Sequence, residues 1–236
     1  MSSQTDVFAE NNTTPEPKHP TVILASASPR RRELLALLGV PFQVVSSCYD
    51  EPISPDKKVD MAQFVTLLAH NKAAEVAERL ENLEDCLVIG ADTEVALNED
   101  EEGDLGIPLG KPQNSEDACR MLRLLAGNTH SVYTGIAVLC IKEDAIVQSA
   151  KKAVRTRVRF REMSDVQIKD YVATGEPLDK AGAYGAQGYA SPFIESYEGD
   201  FFNVVGLPVC ALSQLLEEMG IFWWEYRMVK NETACE

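Results

Sequence analysis

Three consecutive arginines follow a short turn of small residues near the start of the chain, and they indicate an anion site. They are Arg30, Arg31 and Arg32. Ser28 suits the N-cap of a helix, and Pro29 suits its first position because proline has no N–H to lose there. The helix dipole disfavours cations at this end, so a phosphate is the simplest compensation. An ordinary strand-turn-helix unit with a solvated basic turn is the alternative.

A carboxylate inside an apolar segment is the second chemical candidate. Asp92 follows Gly90 and Ala91 within a strand-like stretch, 86–97. Burial of a carboxylate is costly unless it is paired or metal-bound, so Asp92 is the best single candidate for chemistry. A strand-end aspartate satisfied by backbone N–H groups is the alternative. Glu51 stands at another strand end, where a solvated turn is the ordinary interpretation.

A lysine falls on the apolar stripe of a predicted helix over 59–80. Lys72 lies four residues after Leu68 and four before Val76, so the three side chains share one helix face. A lysine at the edge of such a stripe can extend its ammonium into water. A cation directed inward at a cleft is the equally supported alternative.

The elements that must position these residues follow from hydrophobic periodicity and capping residues. Strands are predicted over 22–24, 41–46, 86–97, 129–141, 145–160 and 201–205. Further helices are predicted over 29–38, 115–126, 164–174 and 210–219. Three glycines at steps of three, within 181–188, favour a loop that a ligand approaches closely.

Composition bounds the class of protein. The chain has 236 residues, of which 45% are hydrophobic and 25% charged, and it carries a formal net charge of -15. That charge argues against a general nucleic-acid or anionic membrane surface. The arginines that alternate through 155–161 therefore favour a solvated strand face over a nucleic-acid patch. The six cysteines form no CxxC pair, which suggests reduced thiols, and the three histidines show no metal-binding spacing.

The ends of the chain differ from its middle. Residues 1–20 are polar and contain three prolines, so a disordered tail is predicted before a single domain over 21–225, with a second tail over 226–236. No run approaches the roughly 18 apolar residues of a membrane span. We therefore expect a cytoplasmic protein without a membrane partner, and a nuclear location is compatible with the same features.

Five segments taken together resemble the Maf family of nucleoside triphosphate pyrophosphatases. In chain order they are Ser26-Ala27-Ser28-Pro29-Arg30-Arg31, Gly90-Ala91-Asp92-Thr93, Gly110-Lys111-Pro112, the stretch 179–188 (DKAGAYGAQG) and Val205-Gly206-Leu207-Pro208. The resemblance covers roughly residues 21–220. One such motif alone is weak evidence for the family, whereas five motifs in the family's order are specific evidence.

The resemblance implies an α/β fold with a long mixed β-sheet, flanked by helices in two lobes around a nucleotide cleft and related to the inosine triphosphatase fold. It also implies hydrolysis between the α and β phosphates with Mg²⁺ or another divalent cation such as Mn²⁺, and a homodimer. By matching position, the implied catalytic residues are Asp92, Lys72 and Lys111, the implied metal ligands are Glu51 and Asp92, and the implied substrate-binding residues are Ser26, Ser28, Arg30, Arg31, Thr93 and Gln187. Whether Asp92 deprotonates the water or only binds metal stays open.

The branch of the family also follows from resemblance. Arg-Arg after Ser-Pro, Ala-Asp-Thr and Gln-Gly are similar to the branch that acts on dTTP and UTP, although Ala186 stands where isoleucine is more usual. The 7-methyl-GTP branch typically carries tryptophan, Ser-Asp-Gln and Glu-Gly at these places. A nucleotide-binding regulator of cell division without turnover is the alternative of a different class.

Overall fold

The computed structural model describes residues 19–50, 57–81, 85–97 and 105–226. Its strands are β1 Thr21–Leu24, β2 Phe42–Val44, β3 Val59–Asp60, β4 Asp85–Leu97, β5 Leu105–Pro108, β6 Thr129–Lys142, β7 Ala145–Phe160 and β8 Ile194–Glu198. Its α-helices are α1 Pro29–Ala36, α2 Met61–Arg79, α3 Ser115–Leu125, α4 Asp165–Ala173, α5 Phe201–Val205 and α6 Val209–Glu218. Nearly all of both predicted tails, Glu51 and most of the acidic stretch after Asn98 lie outside the described residues.

Within the described ranges, the strands form one eight-stranded mixed sheet, as predicted. The order along its main path is β2-β1-β4-β6-β7-β8, and β5 joins β4 to β3. β1 pairs in parallel with β2 and β4, whereas the other pairs are antiparallel. β4 and β6 are much longer than β1, so they extend past its end and leave an edge where a cleft can form.

The two long strands are shared by two hydrophobic cores, which define two lobes. In the first core, Ile89 of β4 packs with α1 and α6, through residues such as Leu35 and Leu212. In the second core, Val95 of β4 packs with α3 and α4, through residues such as Leu122 and Ile168. Residues six apart on a strand face the same side, so both cores occupy one face of the sheet.

Helix α2 covers the opposite face at unusually short range. A Cβ atom at Gly90 of β4 would lie 2.1 Å from the carbonyl oxygen of Ala69, and one at Gly135 of β6 would lie 2.3 Å from the backbone of Val65. The absence of side chains at these two glycines therefore lets the helix backbone rest directly on the sheet. This contact sets the height of Lys72 above β4.

The prediction of a last strand over 201–205 is wrong, because this segment is helix α5. Aromatic and β-branched residues favour a strand here, but local capping overrides that preference. The carboxylate of Asp200 accepts a hydrogen bond from Phe202 N at 2.8 Å, and Gly206 ends the helix with a φ of 123°. The last strand is β8, which pairs with β7.

The other predicted elements are confirmed within a few residues. None of the helices in the described part of the chain is long and apolar enough to cross a membrane.

Candidate active site

A cleft of about 1270 Å³ opens between the two lobes. All but one of the site residues predicted from the sequence line it. These are Ser26, Ser28, Arg30, Arg31, Lys72, Asp92, Thr93, Lys111 and Gln187. The exception is Glu51, which lies outside the described residues.

The centre of the cleft holds a buried ion pair. Lys72 Nζ lies 2.5 Å from Asp92 Oδ1, and the two side chains are only 12% and 5% exposed. Lys72 is therefore directed inward at β4 rather than outward into water. A buried charge requires a partner of opposite charge, and Lys72 and Asp92 are each other's partner.

The second carboxylate oxygen of Asp92 is oriented for a further partner. Asp92 Oδ2 is buried and has no hydrogen-bond partner within the described residues. A buried acceptor left in this state is costly, which makes it a place where a water or a cation would bind. Lys72 fixes one oxygen of the carboxylate, so the other keeps a defined direction.

The donor set fits a hard divalent cation in part. Mg²⁺ binds oxygen ligands and is commonly held by one or two carboxylates together with substrate phosphates. Asp92 Oδ2 is such a ligand. Among the described side chains no group of three or more acidic, histidine or cysteine residues forms a complete metal cage. The described ligands would thus hold a cation only together with oxygens from elsewhere, such as those of substrate phosphates.

The turn between β1 and α1 is organised by its two serines. Ser28 is the N-cap residue, and its hydroxyl lies 3.5 Å from Arg31 N. Ser28 N donates to Ser26 Oγ at 3.2 Å, while Ala25 N donates to Ile89 O at 2.8 Å and so ties the turn to β4. This places the positive end of the helix dipole at the cleft, as an anion site requires.

The arginines of this helix are placed differently from one another. Arg30 is half-buried and lines the cleft. Arg31 also lines it, but its guanidinium donates to three protein oxygens, which belong to Gly206, Thr93 and Ser26. Arg32 is exposed and does not line the cleft.

Lys111 follows a turn that is held to β4 by a second buried carboxylate. Gly110 N donates to Glu94 Oε2 at 3.1 Å, and Gly110 O accepts from Gly182 N at 2.9 Å. Glu94 is 6% exposed and lines the cleft two residues beyond Asp92. The turn therefore connects β4 to the glycine-rich loop and carries Lys111 at the rim.

The glycine-rich loop is fixed by Glu176, which precedes it. Glu176 Oε1 accepts from Tyr171 Oη at 2.8 Å, and Glu176 Oε2 accepts from Tyr189 N at 2.9 Å. A Cβ at Gly188 would lie 2.1 Å from Glu176 Oε2, and one at Gly185 would lie 3.0 Å from Oε1. These two glycines thus make room for a carboxylate of the protein itself.

The end of the cleft that faces the second core is lined mainly by apolar side chains, and the charged Asp117 and Arg120 of α3 line the cleft beside Met121. Its lining includes Val95, Leu109, Met121, Val132, Tyr184 and Ala186. The buried His130 lies behind Tyr184, and its Nε2 is 2.8 Å from the Tyr184 hydroxyl. Burial lowers the pKa of His130 to about 3, so its imidazole is neutral at physiological pH. This end suits an uncharged ring, whereas the other end suits phosphates.

The sequence profile of a family described as Maf-like protein matches residues 21–219. The chain belongs to the Maf family. The resemblance predicted from five motifs is thereby confirmed over nearly the whole of the described domain.

The chain is also similar, over most of its length, to individual proteins with an assigned activity. The chain is 44% identical over 200 residues to a dTTP/UTP pyrophosphatase of Clostridium botulinum (strain Okra / Type B1), covering 85% of this chain and 97% of that protein. It is 46% identical over 203 residues to the enzyme of the same name from Moorella thermoacetica, covering 86% and 97%. A solved structure of a nucleoside-triphosphatase, or dITP/XTP pyrophosphatase, from Mycobacterium abscessus aligns with a TM-score of 0.38 and 12% identity, covering 85% of this chain and 97% of that one.

Three residues of this Maf family site were not predicted from the sequence. Glu94 has the spacing of a residue on the same strand face as Asp92, which is a signal that could have identified it. Glu176 and His130 act through contacts with the glycine-rich loop that span 13 and 54 residues of chain. Local patterns carry no information about such contacts.

Proposed function

We propose that this Maf family protein hydrolyses dTTP and UTP to the nucleoside monophosphate and pyrophosphate. The observation that carries the proposal is the buried pair of Lys72 and Asp92, which stands between a cationic end and an apolar end of one cleft. The names of relatives that are 44–46% identical over most of the chain support the same reaction and the same substrates.

The cationic end would bind the triphosphate. Arg30 and Lys111 line it with charges that phosphate oxygens attract, and the N-terminus of α1 adds oriented N–H groups. Cleavage of a phosphoanhydride requires charge neutralisation and in-line placement of the nucleophile, with little covalent participation by the protein. These groups supply the neutralisation and fix the position of the phosphorus atom that is attacked.

Asp92 would act on the attacking water. Its Oδ1 is held by Lys72, so Oδ2 has one direction in which to accept a hydrogen bond or a proton from that water. A divalent cation, Mg²⁺ or Mn²⁺, would be held by Asp92, with Glu51 as the predicted second ligand, and would offset the negative charge of the phosphate oxygens. Lys72 also supplies the opposite charge that a carboxylate buried at this depth requires.

The apolar end would hold the nucleoside. Val132, Met121 and Tyr184 offer apolar surface to a pyrimidine ring, and His130, which is bonded to the Tyr184 hydroxyl, is uncharged. Gln187 is exposed at the rim, where its amide can both donate to and accept from the edge of a base. The implied homodimer, the cytoplasmic location and the absence of nucleic-acid partners stay predictions.

A panel assay tests the proposal directly. Purified protein with Mg²⁺ is incubated with each common nucleoside triphosphate and with 7-methyl-GTP, and pyrophosphate, monophosphate and free phosphate are measured separately. We expect pyrophosphate and monophosphate from dTTP and UTP. Asp92→Asn should lower kcat on the order of 10³-fold, because the amide cannot accept the proton. Arg123→Gln, which breaks only an exposed ion pair with Asp165, should retain full activity.

The other outcomes separate the alternatives. Turnover of 7-methyl-GTP alone would keep the reaction and reject the dTTP/UTP branch. Tight nucleotide binding without any product over hours would reject the enzyme and support a regulator. An Asp92→Asn variant with full activity would remove Asp92 from the reaction.

A further inference from the structure

Arg31 occupies the centre of a hydrogen-bonded junction between three segments of the chain. Its Nε donates to Gly206 O at 2.8 Å, its Nη2 to Thr93 Oγ1 at 3.0 Å, and its Nη1 to Ser26 Oγ at 3.4 Å. These acceptors belong to the turn after α5, to β4 and to the turn before α1. One guanidinium thus joins segments that are distant in sequence.

The junction continues inward as a chain of hydroxyl groups. Thr93 Oγ1 lies 2.9 Å from Thr134 Oγ1, and Thr134 Oγ1 donates to Asn203 O at 2.8 Å. A hydroxyl has a single proton, so the bond from Thr134 to Asn203 fixes Thr93 as the donor to Thr134. Thr93 in turn accepts from Arg31. All bonds of the chain therefore run in one direction, and each polarises the next.

The chain of hydroxyl groups connects the two ends of the cleft. At the phosphate end it holds Ser26, whose hydroxyl organises the turn before α1. At the other end, the side chain of Asn203 donates to Val132 O at 3.0 Å, and Val132 lines the apolar end. Thr134 is fully buried and does not line the cleft, so it can influence a substrate only through its neighbours.

We propose that Arg31 is a positioning residue, which holds the phosphate end of the cleft in register with the nucleoside end through Thr93, Thr134 and Asn203. This inference rests on the proposed function, and it differs from the expectation that Arg31 binds the triphosphate as a second Arg30. The planar fork of an arginine can serve several acceptors at fixed angles, whereas a lysine supplies the charge without that geometry.

A comparison of neighbouring arginines tests the proposal. Arg31→Met should lower kcat/KM about 100-fold, mainly in kcat, because it displaces groups around the reacting atoms. Arg31→Lys should be no better than Arg31→Met. Arg30→Met should raise KM about 10-fold, as expected for the loss of a charged hydrogen bond. Arg30→Lys keeps the charge, so its KM should be close to that of the wild type. Recovery of activity by Arg31→Lys would overturn the proposal.

A double-mutant cycle provides the second test. Thr134→Val interrupts the hydroxyl chain without altering the surface of the cleft, and Thr134→Ser keeps it. Thr134→Val should lower kcat about 10-fold by misplacement, Thr134→Ser should restore it, and Arg31→Met combined with Thr134→Val should be no worse than Arg31→Met alone. Thr66→Val, which removes a buried hydroxyl bonded within its own helix, is the control and should leave kcat unchanged.

The same cycle is measured by denaturant unfolding, which requires no activity. Non-additive changes of the unfolding midpoint for Arg31→Met and Thr134→Val support the chain, and additive changes in both kcat and the midpoint overturn it. If wild-type protein releases no pyrophosphate, the proposed function fails while the midpoints still decide whether the junction exists.

Discussion

The two walls of the cleft are held in place by different means. The wall that carries Lys72 and Asp92 consists of a helix resting on a sheet, and its geometry is set by backbone contact at Gly90 and Gly135. The opposite wall is the glycine-rich loop, 181–189, which is held by side-chain hydrogen bonds such as those of Glu176. A substitution in the first wall should therefore alter the stability of the whole fold as well as the site, whereas a substitution in the second wall should affect only the loop.

Gly135→Ala should have the largest effect, because the added methyl group would meet the backbone of Val65 at 2.3 Å. Overpacking of this kind costs about 3 kcal/mol, and the helix must move away from the sheet to relieve it. That movement separates Lys72 from Asp92. We expect a lower unfolding free energy and a lower kcat together, measured by denaturant titration and by the pyrophosphate assay.

Gly175→Ala is the matched control for this prediction. Nothing lies within 4 Å of a Cβ at Gly175, but its φ of +77° is strained for alanine. The substitution should therefore cost about 1 kcal/mol of stability without a change in kcat. A Gly135→Ala protein that retains both stability and kcat would show that α2 does not depend on close contact with β6.

Glu176→Ala should have an intermediate effect that is confined to the loop wall. It removes the acceptor for Tyr171 Oη and Tyr189 N, and burial already raises the pKa of Tyr171, which keeps that phenol neutral and donating. The loss of these two hydrogen bonds to the carboxylate should destabilise the ordered conformation of the loop by about 3 kcal/mol. We expect weaker inhibition by dTMP with unchanged inhibition by pyrophosphate, because the loop wall carries Tyr184, Ala186 and Gln187 to the nucleoside end of the cleft.

The conservative variant sharpens this result. In Glu176→Gln the amide oxygen can accept from Tyr189 N while the amide nitrogen donates to Tyr171 Oη, so dTMP inhibition should fall less than in Glu176→Ala. Equal loss of dTMP and pyrophosphate inhibition in Glu176→Ala would contradict the separation of the two walls.

The same contrast explains how far the sequence was informative. The helix period placed Lys72 on the apolar stripe and left open whether its ammonium extends into water or into a cleft, which the ion pair with Asp92 decides. The apolar segment around Asp92 marked that residue as buried, because this signal is also local. The partners of Arg31 at Thr93 and Gly206 are 62 and 175 residues away, and no periodicity encodes them. Strand propensity misassigned 201–205, since the N-cap at Asp200 and the end at Gly206 outweighed it.

The smallest effect concerns the neutral histidine behind the loop wall. His130 is 3% exposed, packs against Phe160 and Tyr184, and has a pKa lowered to about 3 by burial, compared with about 6.5 in an unfolded chain. Below about pH 6.5 the unfolded chain therefore binds a proton that the fold rejects. Stability should fall with decreasing pH, by at most about 1.4 kcal/mol per pH unit from this residue.

His130→Gln isolates this contribution from the carboxylates that also titrate in acid. The variant should be less stable than wild type at pH 7, because a packed ring is lost, but its unfolding free energy should decline less steeply between pH 6.5 and pH 5. Tyr184→Phe removes the hydrogen bond to the imidazole and leaves the ring buried, so it should keep the wild-type slope. Parallel curves for wild type and His130→Gln would mean that the imidazole is protonated within the fold, and the apolar end of the cleft would then carry a charge that a neutral pyrimidine does not match.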